Sequence, residues 1–211
     1  MYHFLIADDH PLFREALLGI IHQHYAGATI SESYDLESTL SILDKASTDL
    51  LLLDLNMPGS QDLFGLITIR EKHPSIPVII ISASESQSVI NRAIQYGASG
   101  FIPKSSSMKI LHSAIDKVIN GETWFPEELL NQPEQISDNE KSLAAKISTL
   151  TPQQYRVLCY LREGQLNKQI AYSMSITEAT VKAHITAIFK KLGVNNRTQA
   201  VIELSKFSDI V

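Results

Sequence analysis

Short runs of this chain are too apolar to face water on either side. They are "YHFLIADD", "DLLLLDLN", "VIIISA" and "GFIPK". Each is about a strand long, and none keeps the strict apolar–polar alternation of a half-exposed strand. Strands buried on both faces belong to parallel sheets covered by helices on both sides. The chain provides such covers. "PLFREALLGIIHQH" opens with Pro11 in its first turn, and "LESTLSILDK", "DLFGLITIREKH" and "SQSVINRAIQY" fall between the later strand candidates. A further helix carries Ile110, Leu111, Ala114, Ile115, Val118 and Ile119 at the spacing of one apolar face. With the weaker strand "TISESY", the first 120 or so residues make five β–α units, an α/β fold around a five-stranded parallel sheet.

The pattern ends at "PEELLNQPEQISDNEK", a polar, acidic stretch with two prolines that reads as a linker, helical in part toward "SLAAKIS". Beyond it no strand signal returns. "TPQQYRVLCYLREG" has Thr151, Pro152 and Gln154 in the order of a capping box. "NKQIAYSM", "TEATVKAHITAIFKKLG" and "NRTQAVIELSKF" are three more helix candidates. The expected organisation is a domain over 1–122, a linker over 123–147 and a small all-α, four-helix domain over 148–211.

Charge divides along the same lines. Residues 1–125 hold 8 Lys/Arg against 14 Asp/Glu, a balance of −6, and residues 126–147 hold 2 against 5, or −3. Residues 148–211 hold 8 against 4, or +4, which favours a different and polyanionic partner for the last domain. No apolar run approaches the roughly 18 residues of a membrane span, and the N-terminus lacks the basic start of a secretory signal. Cys159 is the only cysteine, so no internal disulfide forms, and "RVLCYL" suits it as a small buried apolar residue. The expectation is a soluble cytoplasmic protein with no membrane partner.

In a parallel sheet, ligands sit outside the carboxyl ends of the strands. Asp8 and Asp9 close the first strand, Asp54 the third, Ser82 the fourth and Lys104 the fifth. Taken alone, any one of these acids reads as the cap of a turn. Together, three carboxylates in a small volume repel one another unless a cation arrives. One divalent ion and the Lys104 ammonium balance them, and oxygen donors of this kind suit Mg²⁺. Such an ion would polarise an incoming phosphoryl group and leave Asp54 as the nucleophile.

"LIADDHPLFREAL", "LLLDLNMPG", "ISA" and "GFIPK" resemble the receiver domain of two-component response regulators, specifically the NarL/FixJ group, over residues 2 to about 121. The resemblance implies a flavodoxin-like fold in which Asp54 accepts phosphate from a sensor histidine kinase. It implies that Asp8, Asp9, Asp54 and the backbone carbonyl of Asn56 hold Mg²⁺, that Ser82 donates to the phosphoryl group and that Lys104 pairs with it. Phe101 occupies the family's aromatic switch position and is expected to turn inward into space that Ser82 vacates. One departure stands out. Many receivers place proline directly after the lysine, whereas here Pro103 precedes Lys104 and Ser105 follows.

The basic end contains two helix candidates joined by a short turn, a helix-turn-helix pattern. Val181, Ile185, Ile188 and Leu192 share one face of the second. Ala179, Ala183, Thr186, Ala187 and Lys190 share the other, with Lys182 on the flank. Small residues there would let the helix enter a major groove. Periodicity alone leaves a helical dimerisation bundle equally open. "LTPQQYRVLCYL", "NKQIA", "TVKAHITAIFKKLGV" and "RTQAV" resemble the LuxR-type helix-turn-helix over 148 to about 207. That resemblance implies double-stranded promoter DNA as partner. Lys182 would meet a phosphate or a guanine edge, Ala183 or Thr186 a thymine methyl, and Lys190, Lys191 and Arg197 phosphates. Ser175 stands where glycine is usual at the turn, a strained choice if the backbone is left-handed. Ala200, Val201 and Leu204 of the last helix mark the family's usual dimer surface.

The leading expectation is a transcriptional regulator, not an enzyme on external substrates, in which phosphorylation at Asp54 exposes the DNA-binding domain and favours a homodimer. An orphan regulator that binds DNA without phosphorylation is a second reading. A Mg²⁺-dependent phosphatase of the haloacid-dehalogenase kind is a third, and it needs a second aspartate where this chain has Asn56.

Overall fold

The computed structural model describes residues 1–61, 63–126 and 138–210. The chain divides into two compact units, Met1–Gln135 and Ile136–Val211.

The first unit repeats strand and helix five times: β1 (His3–Ala7), α1 (Pro11–His24), β2 (Thr29–Ser33), α2 (Leu36–Leu43), β3 (Leu50–Asp54), α3 (Phe64–Lys72), β4 (Val78–Ser82), α4 (Gln87–Gln95), β5 (Gly100–Pro103) and α5 (Met108–Ile119). All pairings are parallel, in the order β2-β1-β3-β4-β5. β3 and β4 are buried at every position, as their unbroken apolar runs require. β2 lies at the edge with Thr29 and Glu32 exposed, which is why its sequence reads weakly.

Alternation along the strands divides the core between two faces. Phe4, Ile6, Leu50, Leu52, Ile79, Ile81 and Ile102 pack with Leu17, Ile20 and Ile21 of α1 and Leu111, Ala114, Ile115 and Val118 of α5. The alternate positions Leu5, Leu51, Leu53, Ile80 and Phe101 are buried on the other side. Ile110, expected on the apolar face of α5, is exposed. It sits in the first turn, where the Ser107 hydroxyl accepts from its backbone N–H.

At the foot of β1 the ring of Tyr25 lies 5.1 Å from Phe4 and 6.2 Å from Tyr2. Burial, then the charges of Asp116 and Tyr2, push the Tyr25 hydroxyl from 10.0 up to about 12. A raised value means the unfolded chain loses this proton first. The associated stability is therefore complete below about pH 10 and lost as pH climbs toward 12. Because the hydroxyl has no hydrogen-bond partner, Tyr25→Phe is expected to leave neutral-pH stability nearly unchanged and to flatten that alkaline decline. Denaturant titrations at pH 7 and pH 11 measure both.

After α5, Gly121 adopts a φ of 88° and turns the chain back. The following segment runs beside β5. The Trp124 N–H donates to the Ser99 carbonyl at 3.1 Å, and the Trp124 carbonyl accepts from the Phe101 N–H at 3.0 Å. The first residues of the expected linker are thus fastened to the sheet. Its centre, 127–137, lies outside the described residues.

The second unit contains α6 (Asp138–Ser148), α7 (Pro152–Arg162), α8 (Asn167–Met174), α9 (Glu178–Leu192) and α10 (Arg197–Ile210). The expected four helices are α7 to α10. α6, which the sequence left within the linker, buries Leu143, Ala144 and Ile147 and packs on α9 and α10. Both bonds of the Thr151–Gln154 capping box form. Between α8 and α9, Ser175 is left-handed at φ 54° and ψ 41°, a region that costs an L-residue roughly 1–2 kcal/mol. Ser175→Gly is expected to raise the unfolding free energy of this unit by about 0.5–1 kcal/mol, because glycine's extra unfolded-state entropy offsets part of the relief. Among the described residues no helix is long and apolar enough to cross a membrane.

Candidate functional site

Register brings the polar strand ends together. Ala7 pairs with Leu53, Asp54 with Ile81 and Ser82 with Pro103, so β1, β3, β4 and β5 end at one edge. β1 is also where the chain crosses from one side of the sheet to the other, the usual place for a ligand in such a fold. Asp8 and Asp54 are almost fully buried there. Lys104 Nζ donates to Asp54 Oδ2 at 2.9 Å. It also forms an ion pair with Asp8 Oδ2 at 2.8 Å, though without the direction of a hydrogen bond. The Asn56 N–H donates to Asp54 Oδ1 at 3.0 Å, which orients the carboxylate while leaving Oδ2 toward the lysine.

Sequence reasoning missed His10. Its Nδ1 lies 3.0 Å from Asp8 Oδ1, 2.9 Å from Asp9 Oδ1 and 3.5 Å from Asp54 Oδ2, with Lys104 Nζ 3.1 Å away. One ligand atom from each of Asp8, Asp9, His10 and Asp54 falls within 4.8 Å of the others. The signal was its place directly after the paired acids. The side chains of Asp9 and His10 are open to solvent, while those of Asp8 and Asp54 are not. A cation can therefore enter from the rim and find hard oxygen donors behind it, as Mg²⁺ prefers. No second acid stands where a phosphatase needs one, since position 56 supplies a backbone N–H and an exposed amide.

The Ser82 oxygen accepts from the Ser84 N–H at 3.1 Å, which leaves the Ser82 hydroxyl proton for another acceptor. The Lys104 N–H donates to the Ser82 carbonyl at 2.7 Å, tying the ends of β4 and β5. Ser105, in place of the usual proline, donates to Glu85 at 2.6 Å. The Phe101 ring is fully buried, on the sheet face opposite α1 and α5, which is the inward position that the expected switch leads to.

In the second unit, Val181, Ile188 and Leu192 anchor α9, and Lys182, Ala183, Thr186 and Lys190 are exposed. Two other residues expected at phosphates are engaged within the unit. Lys191 Nζ donates to the Thr149 carbonyl at 2.6 Å and to Gln154 Oε1 at 2.7 Å. Arg197 donates to the carbonyls of Leu161 and Gln165 at 3.2 and 2.7 Å, closing the C-terminal end of α7. Lys191→Met is therefore expected to lower the stability of this unit by about 1 kcal/mol. Lys182→Met should leave the melting temperature unchanged and reduce the salt dependence of DNA binding by about one unit of slope. Thermal melts and affinities across a salt series separate the two roles.

Ala200 and Leu204 also differ from expectation. Both are fully buried in the unit's own core, where α10 packs on α6, α7 and α9. Of the expected dimer residues only Val201 keeps partial exposure, beside the exposed Ile202.

Comparison with known proteins agrees with this geometry. Residues 4–116 match the response regulator receiver domain family, and residues 148–204 match the luxR family of bacterial regulatory proteins. The glycerol metabolism activator of Pseudomonas putida is 44% identical, over 96% of this chain and 94% of its own. The nitrate/nitrite response regulator protein NarL of Escherichia coli is 30% identical, over 94% and 92%. A structure of RcsB from Salmonella enterica serovar Typhimurium, at 23% identity, shares the fold with a TM-score of 0.58 across 97% of this chain and 98% of that one. A receiver of this family gains and loses its own phosphoryl group and turns over no external substrate. With its acid cluster at the rim of a parallel sheet and an exposed helix-turn-helix in the second unit, the chain belongs to the NarL/FixJ-type two-component response regulators, phosphorylation-regulated proteins that bind DNA.

Proposed function

We propose that Asp54 takes a phosphoryl group from the phosphohistidine of a sensor histidine kinase, and that this charge switches the second unit onto double-stranded promoter DNA. The observation that carries the reading is Lys104 Nζ at 2.9 Å from Asp54 Oδ2, among carboxylates from two further chain positions. An Asp54 carboxylate oxygen attacks phosphorus, the phosphorus–nitrogen bond breaks, and the kinase imidazole leaves with a proton. Asp8, Asp9, Asp54 and the Asn56 carbonyl would hold Mg²⁺, which offsets negative charge on the phosphoryl oxygens. Lys104 follows the new charge from the carboxylate to a phosphoryl oxygen, and the free Ser82 hydroxyl proton turns to a second one. The acyl phosphate carries about two negative charges where the carboxylate carried one, so the rim gains about one.

In the same reading α9 enters a major groove. Lys182 meets a phosphate or a guanine edge, Lys190 meets a phosphate, and Ala183 or Thr186 meets a thymine methyl. Lys191 ties that helix to the start of α7, and Arg197 closes the end of α7. Two chains pair on a two-fold site, with Val201 and Ile202 at the surface of α10. The domains are the receiver over 1–122, the connection over 123–147 and the DNA-binding domain over 148–211.

Acetyl phosphate replaces the kinase in a test. The full chain is treated with it in Mg²⁺ and in EDTA, and intact mass, solution mass and affinity for genomic fragments are followed. Uptake only in Mg²⁺, with tighter DNA binding, is expected. Equal DNA affinity before and after uptake would favour the orphan regulator instead.

A further inference from the structure

We infer that the segment around Trp124 is a strap coupling the state of β5 to the chain that leads into the second unit, with Gly100 and Trp124 as its positioning residues. This rests on the phosphorylation reading above. β5 is the last strand of the sheet, and its outer edge would otherwise present unpaired backbone groups. Trp124 covers that edge in parallel register with Gly100. Its N–H reaches the Ser99 carbonyl, and its carbonyl takes the Phe101 N–H. The indole packs against the core shared by β1, β3, β4, β5, α1 and α5. One backbone hydrogen bond thus separates Phe101 from the outgoing chain, and Lys104 lies three residues further along β5 and its exit.

The fit at Gly100 is close. A Cβ there would stand 3.0 Å from the Trp124 carbonyl oxygen, 3.2 Å from Ile79 Cγ1 and 3.5 Å from Val118 Cγ2. Any side chain pushes the strap outward or the strand inward. When Lys104 leaves Asp54 for a phosphoryl oxygen, the end of β5 shifts with it. A strap bonded on both sides of Gly100, with its indole held against the core, strains those two bonds as the strand moves and loosens from it. That loosening changes how the outgoing chain is held at Trp124, while the DNA-binding surface itself is untouched. The strap is a two-state element biased by a charge at the other end of its strand.

The test uses the full chain with beryllofluoride and Mg²⁺ as phosphoryl mimic, and a duplex enriched from genomic fragments by the treated wild-type chain. Couplings of this kind span about 5- to 150-fold in affinity. In Gly100→Ala and Trp124→Ala the gain on beryllofluoride addition is expected to fall toward 1-fold. Phosphate uptake from acetyl phosphate and DNA affinity of the untreated chain should stay within about 2-fold of wild type, which a general loss of packing would not allow. Hydrogen exchange in the wild-type chain provides a second readout that needs no variant. The Phe101 and Trp124 amides should change protection when beryllofluoride is added. Unchanged protection at both amides, or variants that respond as fully as wild type, would overturn the strap alone. A wild-type chain whose DNA affinity ignores beryllofluoride overturns the phosphorylation reading and the strap with it.

Discussion

Asp54→Asn is expected to abolish both phosphate uptake from acetyl phosphate and the gain in DNA affinity on adding beryllofluoride. The amide is uncharged and a poor nucleophile, and it gives beryllium no carboxylate oxygen to bind. The loss should be specific. Lys104 keeps Asp8 Oδ2 at 2.8 Å, so its charge is not left unpaired. Removing one of three neighbouring carboxylates also relieves repulsion that Mg²⁺ would otherwise quench. In EDTA the variant is therefore expected to melt no lower than wild type. Intact mass after acetyl phosphate treatment, with thermal melts in EDTA and in Mg²⁺, checks both halves. A variant that still gains phosphate moves the acceptor away from Asp54.

The second large effect lies on α9. Ala183 is exposed, with a small side chain, so a longer residue there disturbs no core. Ala183→Glu would place a carboxylate where the helix meets a surface of phosphates and base edges. Desolvating that charge without a partner, against like charge, is worth at least about 3 kcal/mol, or roughly a hundredfold in affinity. The loss is expected with and without beryllofluoride, at an unchanged melting temperature. That pattern distinguishes damage to the DNA surface from damage to the switch, because Asp54→Asn removes only the response. A variant that binds as wild type would show that another face of the unit meets DNA.

How much of this was legible in the sequence depended on whether a residue's role is set by its own neighbours or by distant ones. β3 and β4 declared themselves because a strand covered on both faces has no use for polar residues. β2 was faint because an edge strand tolerates Thr29 and Glu32 in water. Asp8, Asp9, Asp54, Ser82 and Lys104 could be gathered because parallel strands end at a common edge. His10 was overlooked because its importance is a distance to three carboxylates, which adjacency to Asp9 suggests but does not measure. Lys191 and Arg197 looked like groove cations because their partners are mostly backbone carbonyls, and carbonyls leave no mark in a sequence. Ala200 and Leu204 fit a dimer face equally well in the sequence, because nothing there shows α10 packing on α6, α7 and α9 of the same unit.

The site draws on Asp8, Asp54 and Lys104, at the ends of β1, β3 and β5, and β1 and β3 are neighbours in the sheet without being consecutive in the chain. Such pairings form late and together, since each requires closing a long loop before any contact repays it. A growing chain that has not yet completed β5 has the acids but no lysine to settle them. The site then exists only when the whole sheet does. Under the proposed function, phosphate acceptance would double as a readout of completed folding, and an immature or half-unfolded copy would carry no signal to DNA.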